Sequence, residues 1–292
     1  MNHLYITHPL NGLLCLSLGI GLGIYLIRRF KISGHLWWIG AATFVLSQVG
    51  HLPFNLLVLN PLIEKYSGAL PGPLHIPLIA LILGLSAGVF EEFTRYAVYR
   101  WWIKAARSWS QGLLFGAGHG GLEAILIGGL SLYTFIQLVS LKNVDLSTIV
   151  PANYLTLAQE QVSWYWSMPW YDSLLGGVER LFTIPLHLSA ALLVLLAFTR
   201  RQFRWMWLAV GLHTLVDALA VYLSQIISIY AAELAIAILA LLEIGLIIYL
   251  RRHMPETAVD LPITPAPTWS PVTIQEIPET PETLEETRYQ KV

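Results

Sequence analysis

Two adjacent glutamates and an arginine, Glu91-Glu92-Phe93-Thr94-Arg95, stand inside an apolar stretch. Three further runs place imidazoles and carboxylates in similar surroundings: Phe115-Gly116-Ala117-Gly118-His119-Gly120-Gly121-Leu122-Glu123, Glu179-Arg180 followed by His187, and His213-Thr214-Leu215-Val216-Asp217. On a helix Arg95 is i+4 to Glu91 and i+3 to Glu92, so it can reach either carboxylate. The two glutamates diverge by about 100°, and one can face a cavity while the other pairs with Arg95. His119 and Glu123 share a face, and Asp217 follows His213 by one turn and can orient its ring. A glutamate converging with several imidazoles suits activation of water, with the carboxylate as general base and the rings as co-base, oxyanion donor or metal ligand. His119, His187 and His213 with Glu91 would also satisfy a catalytic Zn²⁺ with an open position. No His-Glu-x-x-His helix is present, so a zinc ion and no cofactor at all both stay open. There is no Gly-x-Ser-x-Gly elbow, and the single cysteine, Cys15, lies away from the cluster. Hydrolysis by activated water is favoured over covalent catalysis.

The elements that must position these groups follow from composition. Of 292 residues only 12% are charged and 55% are apolar, and mean hydropathy is +0.61. A soluble domain carries about 25% charged residues, so the chain reads as an integral, multi-pass protein of the cell membrane. A net charge of −1 with no basic run excludes a nucleic-acid partner. A span needs about 20 mostly apolar residues, and seven stretches qualify, at roughly 9–27, 36–59, 74–100, 109–129, 173–199, 205–225 and 229–250. The expected fold is an all-α transmembrane bundle over 1–253, with an eighth span open because residues 130–141 stay apolar after Gly128-Gly129. Span four is either long and broken there or followed by an interfacial segment. The first stretch lacks a basic n-region and ends in Arg28-Arg29-Phe30-Lys31, unlike a cleaved signal peptide. Arginine and lysine cluster after spans one, three, five and seven, against Lys65 and Lys142 on the other side. That asymmetry predicts the N-terminus outside and the C-terminus in the cytoplasm. Tyr154, Trp164, Tyr165, Trp166, Trp170 and Tyr171 in the outer loop 142–172 read as an interfacial anchor or a lid. Residues 254–292, acidic and rich in proline, read as a disordered cytoplasmic tail.

Sorting the charges by this topology leaves Glu91, Glu92, Arg95, Glu123, Glu179, Arg180, Asp217, Glu233 and Glu243 within the spans. A charge at the bilayer centre costs about 2.5–3.5 kcal/mol on insertion scales, so each is a functional candidate. Counted from the cytoplasmic ends at 1.5 Å per residue, Glu91 and Glu92 lie about 12–14 Å deep, His119 about 15 Å, His187 about 18 Å and His213 about 12 Å. Four helices thus present polar groups within a slab roughly 6 Å thick. Blander roles suit the others: Arg95 and the pair Glu179-Arg180 as structural ion pairs, Glu233 and Glu243 as pairing or snorkelling acids, His51 as a hydrogen-bonded core histidine, and His75 as an interfacial one.

Taken together, Glu91-Glu92 with Arg95, Phe115-x-x-x-His119 and His213-x-x-x-Asp217 resemble the signature motifs of the CAAX prenyl protease and bacteriocin-processing membrane peptidases. The fuller pattern, with Glu-Glu-Phe-Thr-Arg-Tyr at 91–96, His-Gly-Gly-Leu-Glu at 119–123, and Glu179-Arg180 ahead of His187, is closer to the YhfC-type membrane peptidases. The resemblance covers about 70–225. It implies an intramembrane endopeptidase acting on a membrane-embedded or lipidated peptide among membrane lipids. Glu91 and His119 would activate the hydrolytic water, and His213 with the residue at 217 would stabilise the oxyanion. Arg95, Glu123, Glu179 and His187 would support them. Two departures bear on this. The Glu-Glu to Arg spacing is one residue shorter than in the CAAX proteases, which leaves open which glutamate faces the cavity. Position 217 is Asp where Asn can occur, and an ionised Asp cannot donate to an oxyanion; it would orient His213 or assist a metal. Two other readings compete. Intramembrane acids and histidines also build proton- or ion-coupled transporters, against which the absence of an internal repeat counts. A non-catalytic membrane subunit would keep the same cluster as helix glue.

Overall fold

The computed structural model describes residues 2–68 and 71–254. All but Met254 of the expected tail lies outside the described residues. Every regular element among them is helical: α1 (Leu4–Phe30), α2 (His35–Phe54), α3 (Asn60–Ser67), α4 (Gly72–Trp101), α5 (Trp109–Leu141), α6 (Ala152–Ser167), α7 (Leu175–Thr199), α8 (Arg204–Ile226) and α9 (Ile229–Arg251). One π-helical turn, Asn55–Leu59, joins α2 to α3 without interrupting the rod. Seven helical stretches are long and apolar enough to cross a membrane. The chain is a multi-pass, all-α membrane protein.

The centre of the bundle is α5, which packs against α1, α2 and α7, while α4 packs on α8 and α7 on both α8 and α9. Its start is fixed by a capping box: Gln111 N–H donates to Ser108 Oγ at 3.4 Å, and Ser108 N–H donates to Gln111 Oε1 at 3.1 Å. From there α5 runs unbroken for 33 residues, so residues 130–141 belong to one long helix, neither broken nor separate. The glycines at 128–129 are a packing device. A Cβ on Gly128 would come within 2.7 Å of the Gly12 carbonyl oxygen on α1, whereas one on Gly129 would meet nothing within 4 Å.

The same device sets the helices that carry the polar residues. Gly84 and Gly88 of α4 lie against the α8 backbone around Val210 and Thr214. On α5, Gly116 and Gly120 lie against His187 of α7, and Gly118 against the Trp37 carbonyl of α2. Small residues let backbones approach where lipid supplies no hydrophobic drive between helices. By contrast α2 leaves the bundle along its length. Its buried residues end at Ser47, and none of residues 48–58 is buried.

The aromatics of 142–172 divide into two sets, and four of them, Tyr154, Trp164, Tyr165 and Trp166, lie on a helix, α6, that the aromatic pattern alone does not predict. Tyr165 of α6 is buried and stacks on His8 at 3.9 Å, and Trp166 packs on Tyr5 at 4.7 Å and donates to the Leu138 carbonyl at 3.2 Å. Tyr154, Trp164, Trp170 and Tyr171 remain exposed. Thus α6 is clamped to the ends of α1 and α5.

The two adjacent glycines give a paired test. Gly128→Ala should destabilise the protein by about 1–3 kcal/mol through overpacking. Gly129→Ala should be neutral or stabilising by up to about 1 kcal/mol through helix propensity. Unfolding of the two variants in mixed micelles reads both, and equal effects would contradict the packing described.

Candidate active site

The polar residues of α4, α5, α7 and α8 meet in one buried cluster centred on Arg95, which has no exposed surface. Its guanidinium pairs with Glu92, donates through Nη2 to His187 Nδ1 at 2.8 Å, and lies 3.6 Å from Glu91 Oε2. Because an arginine only donates, His187 Nδ1 must accept. The proton of that ring therefore sits on Nε2, which lies 2.7 Å from Glu123 Oε2. Glu123 Oε1 accepts from Arg180 at 2.6 Å, and Arg180 also pairs with Glu179 toward the surface. Gly120 makes room for the His187 ring, which a Cβ there would meet at 2.6 Å.

The two adjacent glutamates part as helical geometry requires. Glu92, fully buried, takes Arg95 and the Nδ1–H of His213, the latter at 2.7 Å. Glu91 turns to the other side. Its Oε2 accepts from His119 Nε2 at 3.0 Å and lies 3.7 Å from His213 Nε2, and its Oε1 accepts from Gln48 Nε2 at 3.2 Å. Asp217 Oδ2 is 3.5 Å from His213 Nε2. With Nδ1 committed to Glu92, His213 presents Nε2 to both Glu91 and Asp217. The His119 ring is held edge-on by Phe44, with centroids 5.3 Å apart, and its Nδ1 is buried without a partner.

A cavity of about 80 Å³ adjoins this cluster, lined by Glu91, Glu123, His187, His213 and Asp217 among others. That is space for several water molecules with polar groups to hold them. Of the two adjacent glutamates, Glu91 lines the cavity and Glu92 does not.

Comparison with known proteins places the chain in a family. A family model described as "YhfC intramembrane metalloprotease" matches residues 14–240. The chain belongs to this family. It is also similar to a Bacillus subtilis (strain 168) protein described as "Uncharacterized membrane protein YhfC", with 33% identity over 253 residues, covering 83% of this chain and 95% of the relative. No solved structure matches the chain significantly.

The family description implies a metal, and the donor set suits one. Glu91, His119 and His187 each offer a ligand atom, all within 4.8 Å of one another. Imidazole nitrogen and carboxylate oxygen are ligands of catalytic zinc, with a position left open. Charge points the same way. Five carboxylates (Glu91, Glu92, Glu123, Glu179 and Asp217) face two guanidiniums, Arg95 and Arg180. Glu91 and Glu92 are buried, while the side chains of Glu123, Asp217 and Glu179 keep 21%, 35% and 37% exposure, so the surplus negative charge lies on the open side of the cluster, where a cation could reach it. His187 can offer Nδ1 only if Arg95 releases it, and Glu91 and Glu92 remain as acceptors for that arginine.

Every residue taken from the sequence as catalytic or supporting (Glu91, Glu92, Arg95, His119, Glu123, Glu179, His187, His213 and Asp217) falls in this one network. Glu233 and Glu243 are buried on α9, each with an oxygen that has no hydrogen-bond partner. The sequence reading passed over Gln48, Phe44 and Arg180's link to Glu123. Gln48 was findable, because it is an amide within an apolar span, one turn before His51.

Arg95 carries a direct test. Arg95→Leu would strand Glu92 and disconnect His187, and breaking a buried pair in this way costs about 3–5 kcal/mol. Arg95→Lys should not restore it, since a point charge cannot serve three partners from one planar fork. Thermal unfolding of purified protein in detergent should show both variants destabilised. A Lys variant as stable as wild type would refute the central role of the guanidinium.

Proposed function

We propose that this protein is an intramembrane metallopeptidase that hydrolyses a peptide bond of a membrane-embedded or lipidated substrate with activated water. The observation that carries this reading is Glu91. It is a buried carboxylate on the wall of a cavity with room for several water molecules, with imidazoles of two other helices and a guanidinium directed at it. By the charge asymmetry of the loops the N-terminus lies outside and the C-terminus in the cytoplasm. The site then sits between the cytoplasmic face and mid-membrane.

The residues that would hold a divalent ion are Glu91, His119 and His187, with His213 the next nearest imidazole. An ion held there would supply Lewis-acid polarisation of the carbonyl and acidify water at the site. The chain's own groups divide the remaining work. Glu91 has two oxygens in different surroundings, one beside His119 and one beside Gln48. It can therefore stay anchored through one oxygen while the other takes a proton from water and passes it to the leaving nitrogen. His119 fixes the direction of that carboxylate. His213 is oriented by Glu92 through Nδ1 and directs Nε2 at the reaction centre, where a protonated ring donates to the developing oxyanion. Asp217 supports the charge on His213 and leaves donation to that ring. Arg95 and Arg180 pair with Glu92 and Glu123 and hold them in place.

Replacing Glu91 separates chemistry from stability, because Glu92 carries more of the structural pairing. Glu91→Gln should insert and fold, yet lower turnover about 10²–10⁴-fold, the usual contribution of a general base. The measurement compares new N-termini in membranes of cells expressing the wild type or the variant. Cleavage products present with wild type and absent with Glu91→Gln are expected. Identical sets of products, with the wild-type protein present and folded, would refute the assignment.

A further inference from the structure

The part of α2 that leaves the bundle carries a polar strip. Gln48, His51 and Asn55 recur at i, i+3 and i+7 and so share one face of the helix. Around them Val49, Leu52, Leu56, Leu57 and Val58 are exposed, as befits a surface against lipid. The strip faces α4. Gln48 donates to Glu91, His51 stacks on Phe90 with centroids 5.5 Å apart, and Ser86 Oγ donates to Asn55 Oδ1 at 2.8 Å. Polar side chains on an otherwise lipid-facing helix are costly and need a reason.

Following the hydrogens gives one. With its oxygen occupied by Ser86, the Asn55 amide donates through Nδ2 to His51 Nε2 at 2.9 Å. The ring proton of neutral His51 is then on Nδ1, and that nitrogen is buried without a partner. An unsatisfied N–H in an apolar medium costs several kcal/mol. Asn55 also opens the π-helical turn Asn55–Leu59, a distortion that recurs at functional sites. The relay Ser86–Asn55–His51 therefore leaves one donor unpaired, shielded in the contact of α2 with α4 one turn from the Gln48–Glu91 pair, so that a substrate reaches it only by parting that contact.

We propose that Gln48, His51 and Asn55 form a binding site for an unwound stretch of substrate polypeptide, in which His51 Nδ1–H donates to a backbone carbonyl and leads the scissile bond to Glu91. A helical substrate has every carbonyl paired and offers none to this donor. An extended one offers a carbonyl at each residue. From Gln48 to Asn55 the strip is about 10 Å long, the reach of roughly three extended residues. The strip thus selects for local unwinding and reads backbone, not side chains. This rests on the peptidase reading above, whose site lies at the strip's end.

The test uses full-length, zinc-loaded protein in nanodiscs and two probes, acetohydroxamate and a short apolar peptide hydroxamate, titrated by fluorescence competition. Wild type should bind the peptide hydroxamate more tightly than acetohydroxamate. His51→Leu should lose about fivefold in affinity for the peptide probe, the usual worth of one hydrogen bond, and nothing for acetohydroxamate. His51→Gln keeps an N–H donor and an acceptor for Asn55, so it should stay within about twofold of wild type for both probes. If the Leu variant fails to fold, His51→Met, whose thioether accepts weakly but cannot donate, should show the loss. Peptide affinity unchanged in the donor-lacking variants would overturn the strip as a peptide site and leave the peptidase reading standing. Failure of acetohydroxamate to bind the wild type would overturn both.

Discussion

A guanidinium shut away from solvent sets the terms for the rest of this structure. Arg95 reaches Glu92, Glu91 and His187 from one planar group, and each of those residues in turn orients another. Glu92 holds His213, Glu91 holds His119, and His187 meets Glu123. In a medium where water cannot repair an unpaired charge, the geometry of one fork is handed outward to three helices. The expectation that Arg95 would be structural is therefore consistent with its place at the hub of the functional cluster. It touches no cavity wall itself, yet fixes which nitrogen of His187 carries the proton.

Such a cluster can form only if the helices come very close, and the packing is arranged for that. Glycine lines the contact of α4 with α8 and of α5 with α1, α2 and α7. Where a side chain would stand elsewhere, here a backbone or an imidazole stands instead. Gly120 next to His187 is the clearest case, since the residue that admits the helix also admits the imidazole. Packing and chemistry share the same positions, so substitutions at these glycines should alter both together.

The spans and the polar cluster were legible because charge is so scarce. A single charged residue in an apolar run stands out, and helical spacing alone parted Glu91 from Glu92. The long α5 was less legible. Gly128-Gly129 reads locally as a break, and only the partner helix α1 reveals it as a contact. The helix α6 was hidden for a related reason: its aromatics signal an interface, but their stacking on His8 and Tyr5 is a tertiary fact. His51 was read as an ordinary core histidine, and the structure instead gives it an unpaired nitrogen on a helix face that leaves the bundle. Gln48 carries no charge, so a search by charge passed over the residue that touches Glu91.

Glu91, His119 and His187 bring a carboxylate and two imidazoles to within 4.8 Å of one another, a donor set that a bound divalent ion would suit. The most direct test is elemental analysis of the purified full-length wild type beside His119→Ala, both shown to be folded by their helical circular dichroism. The account predicts about one zinc or similar divalent ion per wild-type chain and loss of that ion in the variant. A folded wild type that binds no ion when supplied with zinc, or a variant that retains as much as wild type, would contradict it.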